Sequence, residues 1–148
     1  MDEVRGIASN VRNTVSISGG GNDSQVTTTH LTHFNIDGKI VKTVASPLMI
    51  NDGDDVFAVG NTSNGMLNAL AFKNFTNNVT GNQGWLSMLL FGIGFPVVSV
   101  ISYLQFSDPF FGIVPKIVSG VFLVAGLVMF FRGVRIFLAA NVVKQATR

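Results

Sequence analysis

A chain of 148 residues without a single cysteine excludes disulfides, thiolate nucleophiles and cysteine-ligated zinc. Its charge is divided unevenly: residues 1 to 84 hold seven acids and five bases, a net of −2, whereas residues 85 to 148 hold one acid and five bases, a net of +4. The high isoelectric point therefore belongs to the second stretch, and gives the first no reason to bind nucleic acid.

The chain opens on MDEVRGIASNVRN, which starts acidic and lacks the apolar core of a secretory signal, so no cleavage is expected there. Val11, Val15 and Ile17 then alternate with polar residues, the period of a half-buried strand. After the loop Gly19-Gly20-Gly21-Asn22-Asp23 a second strand is expected from Gln25 to Ile36. Asp37-Gly38 is a two-residue hairpin signal leading into a third, Lys39 to Ala45. Beyond Pro47 the turn NDGDD (Asn51 to Asp55) feeds DVFAVG, and the turn Asn61 to Gly65 feeds MLNALAFKNF. Five short strands separated by Gly, Asn and Asp turns predict a small all-β barrel of OB-like or SH3-like type over residues 1–80, with 81–84 as a linker. The segments IDGKIVK, GDDVFAVGN and NGMLNALAFKN, within residues 34 to 75, resemble the NfeD-like membrane proteins. That resemblance implies an OB-like domain paired with membrane helices, in reversed order here, and carries no functional residue across.

Residues 85–148 read as a two-helix transmembrane hairpin. Trp85 to Phe106 is uncharged over a length that spans a bilayer core, with Trp85 and Tyr103 placed as interfacial anchors. A second span, about 110–131, follows Ser107-Asp108-Pro109. It starts at Pro109, capped by Asp108, or at Pro115, and in both versions Lys116 snorkels from a helix end. The basic tail that follows prolongs this helix or lies on headgroups. Arg132, Arg135, Lys144 and Arg148 set the topology by the positive-inside rule, so both termini are expected in the cytoplasm. Small residues recur at sevens in the second helix (Gly112, Ser119, Gly126, Gly133) and at Gly92 and Ser99 in the first. They mark a helix-packing seam, within the chain or between copies.

Chemistry is sparse. NDGDD has no downstream glutamate to close a calcium loop and reads as a turn. His30 and His33 fall on opposite faces of a strand and cannot chelate one ion. SGGGNDS lacks the Lys-Ser/Thr ending of a phosphate loop. Glycosylation triplets begin at Asn22, Asn61, Asn74 and Asn78, in turn sequence that generates them by chance. No catalytic, cofactor or metal residues are expected. The expectation is a non-enzymatic integral protein of a bacterial inner membrane, with lipid and a membrane-protein partner or a second copy as its contacts. Its cytosolic barrel would serve as an interaction or ligand-sensing module of an adaptor or accessory subunit, and the alternative is an oligomeric channel or transporter subunit.

Overall fold

The structure, a computed structural model, describes residues 1–18, 27–44, 49–106 and 112–147. The strands are β1 (Asp2–Ser18), β2 (Thr27–Ile36), β3 (Lys39–Val44), β4 (Asp55–Ser63), β5 (Met66–Asn74) and β6 (Val79–Asn82), and the helices are α1 (Trp85–Gln105) and α2 (Val114–Gln145). The chain forms a closed five-strand β-barrel followed by two long apolar helices. The loop Gly19 to Asp23, the start of the second strand candidate at Gln25 and Val26, Pro47, Asp108, Pro109 and Arg148 lie outside the described residues.

The barrel closes because β1 serves two neighbours. Its first half, Asp2 to Ile7, pairs with β4, and its second half, from Ala8 onward, pairs with β2. The sheet order is β3-β2-β1-β4-β5-β6, and a parallel pairing of β3 with β5 joins the ends of the five-strand ring. Every other pairing is antiparallel, so the tight turns at Asp37-Gly38 and Asn64-Gly65 suffice for two of the connections. All four of these turn residues have positive φ, the geometry that lets a two-residue hairpin follow the strand twist. Alternation along the strands delivers Ala8, Phe34, Ile36, Val41, Val56, Ala58, Leu67, Ala69 and Phe72 to one core, and Ile50 joins them from the turn before β4.

The structure corrects the sequence reading at three places and decides between alternatives at two. The first strand begins at Asp2, ahead of the alternation that starts at Val11, because Val4 and Ala8 also face inward from a polar stretch. A sixth strand, Val79–Asn82, pairs with β5 and takes up part of the expected linker 81–84. The second helix starts at Val114, one residue before Pro115, where a missing N–H costs nothing. It runs on to Gln145, so of the two readings of the basic tail the one that prolongs the helix is found. Gly112 precedes the helix, with φ +64, and drops out of the small-residue seam.

The described residues divide into two compact units, Gly84–Phe137 and the barrel residues Met1–Gln83 together with Leu138–Arg148.

Candidate functional site

In the barrel unit the NDGDD stretch is a structural knot. Gly53 has φ +89 and the Asp54 N–H bonds the Asn51 carbonyl at 3.2 Å, which closes a four-residue turn. The turn is stitched to β1: Ala8 donates to the Asp54 carbonyl, Gly53 donates to the Ala8 carbonyl, and the Val11 N–H donates to Asp52 Oδ1 at 2.9 Å. Asp54 is buried, and its Oδ2 accepts from Asn51 N at 2.8 Å and from the Asn74 side-chain amide at 2.7 Å. Asn74 is fully buried and also donates to the Met49 carbonyl, while its own oxygen accepts from Thr76 and Asn77 N–H groups. With Asn74 enclosed in this way, its glycosylation triplet has no accessible acceptor. Asp55 turns the other way and takes a bidentate pair of bonds from Arg5, at 3.0 and 3.3 Å. That carboxylate raises the Arg5 pKa above its ordinary value. At the start of β1, hydrogen bonds from Thr62 hold the Asp2 carboxyl below the ordinary carboxylate range.

Arg5, Phe57 and Lys73 are cross-strand partners in one row over β1, β4 and β5, on the outer face of the barrel. This row holds the end of the second helix. Lys73 Nζ donates to the Ala146 carbonyl at 2.7 Å, and Arg5 Nη1 donates to that of Thr147 at 3.1 Å. Two cations thus meet carbonyls left without intrahelical partners, where the helix dipole is negative. Both also lie over the Phe75 ring, at 4.3 Å for Arg5 and 4.9 Å for Lys73. Ala139, Ala140 and Val143 of the tail are buried. Neither arrangement is legible in sequence, since Arg5, Lys73, Asp54 and Asn74 come together only when distant strands pair.

In the helical unit the small residues of each helix let the other helix approach closely. A Cβ on Gly92 would come within 2.6 Å of the Phe130 backbone, one on Gly126 would strike the Pro96 ring, and one on Gly133 would press on Leu89 at 3.0 Å. Ser99 Oγ donates to the Ser119 carbonyl at 2.7 Å, and both serines are buried. The expected residues Gly92, Ser99, Ser119, Gly126 and Gly133 therefore form one intrachain seam, with Phe95 edge-on to Phe122 and Trp85 edge-on to Phe137 beside it. Lys116 stands exposed in the first turn of α2. Arg132, Arg135 and Lys144 are exposed as well.

His30 lies on the inward register of β2 with Thr32 and Phe34, and His33 on the outward register, so the strand separates them. Among the described residues no three of the His, Asp and Glu side chains are grouped to hold a metal ion. Compared with protein-family models, with curated proteins and with solved structures, the chain gives no match.

Proposed function

We propose that the chain is a non-catalytic integral membrane protein, anchored by the α1–α2 hairpin, whose OB-like barrel is an interaction or ligand-sensing module of an adaptor or accessory subunit. The observation that carries this reading is the surface of the two helices. Their most apolar windows are only 11 % and 17 % buried, whereas a core helix of a soluble protein would be mostly enclosed. Leu90, Ile93, Val100, Val121, Val124 and Val128 each leave more than half of their surface open. An apolar surface of this extent needs lipid or protein against it.

Lengths support the same reading. The 21 residues of α1 rise about 32 Å, close to the roughly 30 Å of a hydrocarbon core. The 32 residues of α2 rise about 48 Å, so the last third of this helix must leave the bilayer near Arg132 and Arg135. The positive-inside rule favours a cytoplasmic face at these cations, and the proposed reading accordingly takes both termini as cytoplasmic, in a bacterial inner membrane.

For the barrel, the OB-like type is supported over the SH3-like type by the ring order β3-β2-β1-β4-β5 with its parallel β3–β5 closure. The NfeD-like resemblance stays part of the proposal, as a likeness of parts in reversed order. The seam residues pack within the hairpin, which favours an adaptor with one tight hairpin over a channel that would need the same small residues between copies. The module reading predicts that cross-linking in native membranes traps the full chain with a particular protein or ligand. The same adduct should be lost when the hairpin, residues 84–137, is expressed alone. Recovery of the same adduct by the hairpin alone would overturn it.

A further inference from the structure

On the face of the barrel away from the helix tail, the strand register aligns three basic residues. Arg12 on β1 is the cross-strand partner of His33 on β2, and His33 is the partner of Lys42 on β3. Partners in a sheet project from the same face, and adjacent strands lie about 4.8 Å apart, so the three side chains leave the barrel side by side within about 10 Å. The order matters. The short imidazole is in the middle and the two long, flexible cations flank it, so Arg12 and Lys42 can lean inward over His33.

The row borders a cavity of about 300 Å³ lined by Asn10, Arg12, His33, Phe34, Asn35 and Ile40. That volume is at the small end for an organic ligand. β1 is irregular at this place: its register shifts between Ser9 and Arg12, and Asn10 has φ +53. A bulge of this kind re-aims the side chains around it, and Asn10 is among the residues that line the cavity. Among the described residues none of the Arg12, His33 and Lys42 side chains has an ion-pair or hydrogen-bond partner, although Arg5 on the same strand is paired with Asp55. Among the described residues the barrel thus leaves two cations, with an imidazole between them, without a carboxylate partner, in a sequence stretch that is net acidic.

We infer that this row binds the phosphate group of a small organic phosphate, with Arg12 and Lys42 closing on the phosphoryl oxygens, His33 beneath them and Asn10 and Asn35 at the rim. A phosphoryl group offers three oxygens to a convergent set of donors, and guanidinium is the side chain best matched to it. Ile40, half exposed at the cavity wall, supplies an apolar surface for the carbon skeleton that carries the phosphate. An extended polyanion fits less well, because the row holds only two cations, Arg12 and Lys42, while Asp2, Glu3 and Asp37 are exposed elsewhere on the barrel. The inference deepens the reading of the barrel as a binding module and does not depend on membrane insertion.

The test is a titration of the full chain in detergent micelles with sodium phosphate, at constant ionic strength, followed by backbone amide NMR shifts. Saturable shifts are expected at Arg12, His33, Asn35 and Lys42. The double variant Arg12→Gln/Lys42→Gln should bind at least about tenfold more weakly, while Lys39→Gln should bind as the parent does. Glycerol phosphate and dispersed short-chain phosphatidylglycerol, run as parallel arms, separate a soluble source from a lipid headgroup by which binds more tightly. Either order supports the site, provided the double variant loses both. Shifts that do not saturate, that spread equally to Lys39 and Lys73, or that survive in the double variant would overturn the inference. So would tight binding of an oligothymidylate that phosphate does not displace. If phosphate fails while the hairpin-dependent adduct of the full chain persists, this inference falls and the module reading stands.

Discussion

Asp54 shows how an acid can be buried without serving chemistry. One of its oxygens collects donors from the turn it belongs to and from Asn74 at the end of β5, so the charge is met by hydrogen bonds on the spot. Asn74 works in both directions, holding Asp54 and Met49 with its amide and the following turn with its oxygen. Removing it leaves a buried carboxylate and two N–H groups short of partners, which costs about 2–3 kcal/mol. Asn74→Ala should lower barrel stability by that amount in chemical denaturation. Asn74→Asp should lower it more, because a second carboxylate would stand against Asp54. Equal stability of the parent and both variants would mean that the network is incidental. The acid-rich NDGDD motif looks in sequence like a site, and the sequence argument against a calcium loop leaves only a turn; what it does not display is that the turn stitches β1, β4 and β5 together.

At the scale of elements, local signals were legible and long-range closure was not. Asp37-Gly38 announces its hairpin because only residues tolerant of positive φ fit there. The sevenfold spacing of small residues announces the packed face of each helix, since a helix returns nearly to the same side after two turns. The parallel β3–β5 contact has no sequence signature, because it depends on where the whole ring ends. β6 was hidden for another reason: VTGN is short and polar, and is a strand only because β5 offers it an edge. Gly112 failed because spacing alone cannot tell the last loop residue from the first helical one. The seam itself gives a paired prediction. Gly92→Val places carbon atoms against the Phe130 backbone and should force the helices apart, lowering the thermal stability of the hairpin in micelles by several degrees, the effect of about 1–3 kcal/mol of overpacking. Gly94→Val, two residues on, meets nothing within 4 Å and should leave it unchanged, as seen by circular dichroism melts of both variants.

For the molecule as a whole, the two units suit two different solvents. The barrel closes its core with alternating strands, the arrangement suited to water on the outside. The helices bury only their seam and turn large aliphatic side chains outward, the arrangement suited to lipid. Adaptor function and phosphate binding are refinements of that division and stand or fall with their own experiments. Because the chain has no cysteine, the division itself can be read residue by residue with single substitutions in sealed membranes. Val100→Cys and Val124→Cys lie mid-helix on open apolar faces, and Asn64→Cys lies on an exposed barrel turn. The measurement is the rate of labelling by a water-soluble maleimide, before and after detergent solubilisation and unfolding. Fast labelling is expected at position 64 once both sides of the membrane are open to the reagent, and none at 100 or 124 until the membrane is dissolved and the chain unfolded. Labelling at 100 and 124 as fast as at 64 in intact membranes would contradict that division.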